Sequence, residues 1–367
     1  MINNHSITKL KNTQLKPESS SLNRFVGENY QSIVRKIGEG AFSSVYLSEI
    51  KTSQNKIVPV ACKVISLAGW KTEEYVKTFL PREIDIMTKI RHINIIRVYG
   101  IVQYKKCLFI NMRYAEHGNV LEFLDGKTLN ELQARVWTKQ LTTAVHYLHE
   151  LNMVHRDIKC ENILVTAKLN VKLTDFGFSR IIPGDDYRSR TYCGSIHYCA
   201  PEILRGKPYD AKLADIWSLG VVLFAMINNV KPFNANKREE LIALQMQKNW
   251  SFRSEVEPSP KLADLLNRIL EPKPEKRITA AEVLQSQWMK SDILTSVYTD
   301  QELLDVERAR AQKNDYSTQM TTRLAQNFHN VNYYYMKNTI NNSLNFIDNT
   351  GIFENVLNDQ QEEISES

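Results

Sequence analysis

"HRDIKCEN", residues 155–162, sets His155, Arg156, Asp157, Lys159 and Glu161 almost side by side. A stretch like this reads as a solvated turn, a metal site or the centre of an active site, and what lies at defined distances to either side decides between them. Just before it runs "LNELQARVWTKQLTTAVHYLHEL" (129–151), whose apolar spacing predicts a long helix. Just after it, "KLTDFGFSR" (172–180) places Asp175 where a strand gives way to a turn. Asn162 and Asp175 carry hard oxygen atoms of the kind magnesium accepts when it also holds substrate phosphates. Asp157 is left as a carboxylate able to accept a proton, with the Lys159 cation two residues away.

Further upstream, "IGEGAFSSVY" (37–46) lies between two strand-like runs. The pair Gly38 and Gly40 lets a backbone turn tightly and approach phosphate oxygens, though the same pair equally marks a plain hairpin. Ser43 stands where a third glycine would complete a GxGxxG pattern, and the strand that follows, in place of a helix, excludes the dinucleotide fingerprint. "VACKV" (60–64) then puts Lys63 inside an apolar strand, and Glu83 falls on an amphipathic helix with Leu80, Ile84, Met87 and Ile90 at helical spacing. A strand lysine facing a helix glutamate forms an ion pair able to aim the ammonium at a phosphate.

The 367 residues are 43% hydrophobic and 24% charged, a globular composition. The most apolar run, "IWSLGVVLFAMI" (216–227), falls short of the roughly 20 residues of a membrane span and predicts a buried helix. The N-terminus lacks the apolar core of a secretory signal, and the five cysteines (Cys62, Cys107, Cys160, Cys193, Cys199) show no close CxxC pair, so free thiols in a reducing, intracellular setting are expected. Residues 290–367 carry a net charge of −6 and residues 1–289 one of +12. The basic residues are scattered, without a stripe interleaved with aromatics, which argues against nucleic acid and suits an anionic nucleotide.

Taken in order, Gly38 and Gly40, Lys63, Glu83, "HRDIKCEN", "DFG" (175–177) and "APE" (200–202) resemble the protein kinase signature over residues 30–289. "DIKCEN" is similar to the serine/threonine form. "FLPREIDIM", "HRDIKCEN" and "KLTDFGFSR" resemble most the testis-specific serine kinases of the calcium/calmodulin-kinase-like group. The resemblance implies an α+β, bilobal kinase fold with a small β-rich N-lobe (about 29–112) and a larger helical C-lobe (about 116–289). The kinase domain (29–289) is expected to sit between a flexible polar arm (1–28) and a mostly disordered, acidic, asparagine-rich tail (290–367).

By the same resemblance ATP and Mg2+ are the expected cofactors. Ile37, Gly38, Glu39, Gly40, Ala41, Phe42, Ser43, Ser44 and Val45 would cover the nucleotide, and Ala61, Lys63 and Leu164 would complete its site. Asp157 and Lys159 are the implied catalytic pair, Asn162 and Asp175 the metal ligands, and Glu83 the residue that orients Lys63. His155 would pack with Phe176 and Met87, Asp215 would hold the catalytic-loop backbone, and Glu202 would pair with Arg277. Thr191 is the implied activation phosphosite, with Arg156 its phosphate receptor. Asn119 stands where basic-directed relatives carry an acidic residue, so only a weak preference for arginine before the acceptor is expected. The implied setting is a monomeric, cytoplasmic and also nuclear enzyme with protein substrates, an upstream activating kinase, no nucleic acid and no membrane, acting in spermatogenesis. A pseudokinase scaffold is the alternative.

Overall fold

Five antiparallel strands open the structure: β1 (Gln31–Glu39), β2 (Ser43–Lys51), β3 (Ile57–Ser66), β4 (Val98–Tyr104) and β5 (Cys107–Arg113), in the order β1-β2-β3-β5-β4. This computed structural model describes residues 31–40, 43–51, 56–67, 80–104, 106–184 and 188–291. The expected arm (1–28), nearly all of the expected tail, and Ala41 and Phe42 lie outside the described residues. The strands are rich in β-branched residues; β3 pairs in continuous register on both sides, with Lys63 opposite Val45 on β2 and Ile110 on β5, while β1–β2 and β4–β5 carry register shifts. Helix α1 (Leu80–Lys89) shares one core with this sheet, through Leu80, Ile86 and Met87 on the helix and Ile65, Leu108 and Ile110 on the strands.

Leu80, Met87 and Ile90 are buried as their spacing predicts, and Glu83 lies inward with them, 2.6 Å from Lys63. Ile86 is buried too, while Ile84 is only half-buried against the same core.

The second lobe is mainly helical: α2 (Val120–Leu124), α3 (Glu131–Glu150), α4 (Pro201–Leu204), α5 (Ala211–Asn228), α6 (Arg238–Met246), α7 (Pro260–Ile269) and α8 (Ala280–Gln285). Side-chain caps start several of these helices. Asn130 accepts from the Gln133 N–H at α3, Ser259 from Leu262 at α7, and Thr279 forms a reciprocal box with Glu282 at α8. The apolar run read as a buried helix is α5, 78% of which is buried within the lobe. Gly220 permits its closest approach to α7, since a Cβ there would sit 2.3 Å from the Ile269 side chain. All five cysteines are free and buried; burial pushes the thiols of Cys62 and Cys199 up to about 12 and that of Cys160 to about 11, which keeps them protonated and unreactive.

Four short strands, β6 (Met153–Val154), β7 (Ile163–Val165), β8 (Val171–Leu173) and β9 (Arg180–Ile181), pair as β6–β9 and β7–β8. They fix the loops between them on the face of the C-lobe that meets the sheet. The two-lobed arrangement is the one expected.

Away from that face, Arg277 donates to both Glu202 oxygens at 2.7 and 3.0 Å, with the two side chains 0% and 8% exposed. It also donates to the Leu213 carbonyl and lies over the Trp217 ring. Arg277→Ala would leave the Glu202 carboxylate buried and uncompensated, so urea unfolding should show a loss of about 3–5 kcal/mol. A loss below about 1 kcal/mol would mean that the pair is not structural.

Candidate active site

The catalytic-loop backbone is held from below by one buried carboxylate. Asp215, near the start of α5 and 1% exposed, accepts the N–H groups of His155 at 2.9 Å and Arg156 at 2.7 Å. Its second neighbour, the His149 ring, lies 3.0 Å away. Arg156 takes a left-handed backbone (φ 67°), and the Asp215 bonds to its own N–H and to that of His155 stabilise that turn. The His155 ring donates from Nε2 to the Thr174 carbonyl and accepts the Asp157 N–H at Nδ1. Full burial keeps this imidazole neutral, with its pKa below the usual histidine range. Its edge meets Phe176 at a centroid distance of 5.0 Å, and Met87 belongs to the same buried cluster as Phe176.

Above this platform, Asp157 stands at the centre of a tight polar group. Lys159 Nζ lies 2.8 Å from one carboxylate oxygen, and the Asn162 amide donates to the same oxygen and to the Asp157 carbonyl, both at 2.9 Å. The other oxygen accepts from the backbone N–H and the hydroxyl of Ser195, each at 3.2 Å. Lys159 also donates to the Ser195 hydroxyl at 3.1 Å. A carboxylate held at one oxygen by a cation and at the other by a displaceable hydroxyl can orient an incoming hydroxyl and accept its proton.

The residues proposed as metal ligands fit a divalent cation. Asn162 spends its N–H2 on Asp157, so its amide oxygen is the free end. The Thr174 N–H donates to the Asn162 carbonyl, which brings Asp175 to the same ledge. Asp175 takes φ 64°, with its side chain 47% exposed toward the cleft. Two oxygen donors without a third acidic or histidine partner suit an ion that completes its shell with water and substrate phosphate; among the described residues no cluster of three such side chains is found.

Lys63 bridges the lobes. Its Nζ lies 2.6 Å from Glu83 and 3.8 Å from Asp175. Burial works against its charge, yet the Glu83 and Asp175 carboxylates outweigh it and hold the pKa above the usual lysine range. The ammonium is therefore charged throughout neutral pH.

The glycine turn closes through the Gly40 N–H donating to the Ser43 carbonyl at 2.8 Å, while Gly38 pairs with Val45 and Glu39 with Ser44. The Glu39 side chain is 74% exposed and lies 3.0 Å from the Lys36 ammonium. Ile37, Val45 and Leu164 pack half-buried against the core that contains Ala61. They supply apolar walls above and below the cleft.

Past β9, Thr191 is exposed, while its carbonyl accepts the Tyr209 hydroxyl at 2.9 Å. Ser189 is 1% exposed and pairs its backbone with Tyr209 in both directions, which removes it as a modification site in this conformation. Arg156 donates from Nε to the Phe178 carbonyl at 2.7 Å, but its buried Nη1 has no partner. Gly194 has φ 94°, and a Cβ there would lie 2.8 Å from the Arg156 carbonyl, so only glycine fits where this segment crosses the catalytic loop. Tyr209 and His149 are the two anchors that sequence reading missed. Neither belongs to a local motif; both act across gaps of 18 or more residues.

Residues 31–289 match the family described as protein kinase domain. The chain is 39% identical over 272 residues to Testis-specific serine/threonine-protein kinase 3 of Homo sapiens, covering 73% of this chain and 98% of that protein. It is 36% identical over 263 residues to Testis-specific serine/threonine-protein kinase 2 of Mus musculus, covering 69% and 72%. To Testis-specific serine/threonine-protein kinase 4 of Homo sapiens it is 33% identical over 289 residues, covering 74% and 86%.

Proposed function

Since this chain belongs to the protein kinase family, as a serine/threonine kinase similar to the testis-specific kinases, we propose how its residues divide the work of phosphotransfer. ATP and a divalent metal are used as in the family at large, and Mg2+ is the ion that the oxygen donors Asn162 and Asp175 suit best. When bound, the metal offsets charge on the phosphate oxygens. Asp157 orients the substrate hydroxyl and takes its proton as the new P–O bond forms. Lys159, 2.8 Å from Asp157, offsets negative charge on the transferring group. Lys63, aimed by Glu83, holds the nucleotide phosphates. The Asp157, Lys159, Asn162 and Ser195 contacts at 2.8–3.2 Å carry this reading, because positioning and electrostatics dominate such reactions.

A pseudokinase scaffold is not favoured: Lys63, Glu83, Asp157, Asn162 and Asp175 are all present and brought together. The substrates are proteins, in keeping with the relatives. Likeness to testis-specific kinases supports a role in spermatogenesis; a cytoplasmic and nuclear monomer switched on through Thr191 by an upstream kinase completes the proposal.

The test is the purified chain with labelled ATP and Mg2+ on an arrayed peptide library, beside the Asp175→Asn variant. Phosphotransfer by the wild type alone is expected. Phe178, 44% exposed after "DFG", gives serine acceptors an advantage over threonine, whose extra methyl meets the ring. A threonine preference would contradict that assignment of Phe178.

A further inference from the structure

Beside the catalytic loop lies a cation that phosphotransfer leaves unused. Helix α5 ends at Asn229, whose left-handed backbone (φ 52°) turns the chain and whose amide donates to the Gly126 carbonyl. Four residues later Phe233, 1% exposed, stacks on Trp217 at 5.6 Å. Lys231 is clamped between these two anchors. Its half-buried side chain extends over the Tyr198 ring, with Nζ 5.4 Å from the centroid.

Tyr198 ends the short turn that begins just after Ser195, and its carbonyl accepts the Ser218 hydroxyl of α5 at 2.8 Å. The Lys231 charge is therefore tied to the turn that follows Ser195, the residue in contact with Asp157. His197, from the same turn, lies within the field of Lys231, and its Nδ1 is buried without a hydrogen-bond partner. Among the described residues, Lys231 forms no ion pair with a carboxylate.

The carboxylates that could make this face attractive to a basic substrate are largely taken. Glu116 accepts the Ala167 N–H at 2.8 Å, Glu122 accepts the Asn119 N–H at 3.1 Å, and Asn119 spends its own oxygen on capping α2. Glu161 is exposed.

We infer that Lys231, with the His197 imidazole beside it, forms a subsite for an anionic side chain flanking the phosphoacceptor, either a carboxylate or a phosphate. Substrates acidic at that position are favoured over basic ones. The inference rests on the kinase reading and names the substrate class for the same site. Burial and the Lys231 charge hold the His197 pKa below the usual histidine range, so the ring acts as a neutral hydrogen-bonding group and Lys231 supplies the charge.

The test uses the full chain on serine peptides with Ala, Asp, Glu, phosphoserine or Arg at each position within about four residues of the acceptor, the reach of a few extended residues. Read as a ratio of kcat/KM to the alanine peptide, Asp or Glu should gain roughly two- to fivefold at one or more positions, the scale of a partly exposed ion pair. Phosphoserine should gain more, about tenfold, in line with its larger charge. Lys231→Gln should bring these ratios to about one, Lys231→Glu should turn them toward arginine, and Lys231→Arg should keep them. A gain for phosphoserine alone assigns the subsite to previously phosphorylated substrates, and a gain for Asp and Glu as well assigns it to acidic ones. Asp, Glu and phosphoserine peptides all no better than alanine, or a gain for any of them that survives Lys231→Gln, would overturn the inference while leaving the kinase assignment intact. Absence of phosphotransfer to every peptide would instead overturn the kinase reading.

Discussion

Asp175→Asn should cost at least about 10²- to 10³-fold in turnover, the scale for removing one preorganised electrostatic contact, while the protein stays folded. The substitution keeps the size of the side chain, and asparagine tolerates the left-handed backbone (φ 64°) as well as aspartate does. The side chain is 47% exposed, so exchanging carboxylate for amide should change stability by no more than about 0.5 kcal/mol. Lys63→Met should abolish turnover equally but is a less clean experiment. It strips the partner from Glu83, which is 1% exposed, and an uncompensated buried carboxylate lowers stability as well as activity. Turnover and urea unfolding, measured together, separate the two variants: activity lost with stability kept for Asp175→Asn, and both lost for Lys63→Met. A folded Asp175→Asn variant with wild-type turnover would overturn the metal-ligand assignment.

Thr191→Ala should lower turnover by roughly 10²-fold, the scale of lost catalytic positioning, with ATP affinity little changed. Arg156 Nη1 is buried without a partner, and a buried unsatisfied donor costs about 1–3 kcal/mol. Phosphate on Thr191 adds about −1.5 to −2 of charge and strong acceptor oxygens that can meet that guanidinium. Since Arg156 already holds the Phe178 carbonyl and Gly194 crosses the Arg156 carbonyl, pairing there steadies the segment that presents Ser195 to Asp157. Arg188 has a weaker claim as a second receptor because it faces Asp210 at 3.8 Å. Ser189 is buried and Tyr192 is 53% exposed under Arg238, so Tyr192 is the remaining competitor. Phosphate mapping that finds Thr191 unmodified in active protein, with the alanine variant fully active, would reject the switch.

The catalytic elements were legible because phosphotransfer chemistry confines residue types to short segments. "HRDIKCEN" holds base, cation and amide within eight residues, and a loop of that length keeps them within reach of one another whatever surrounds it. Lys63 and Glu83 were legible for a related reason: an apolar strand and an amphipathic helix leave one place each for a buried charge, and the two charges neutralise each other at 2.6 Å. The strand pattern and the buried α5 followed from hydrophobic periodicity alone.

What only the tertiary structure decided lies in contacts between distant segments. That Ile86 and not Ile84 is fully buried on α1 was decided by its packing against the sheet. Ser189 was buried against Tyr209, 20 residues further on, which no local pattern foreshadowed. Lys231 lies 33 residues along the chain from Tyr198, yet its ammonium sits over that ring. A side chain's meaning in such cases depends on the electrostatic field and burial supplied by remote residues. Sequence fixes the charge each residue carries, whereas packing fixes which charges remain without a partner.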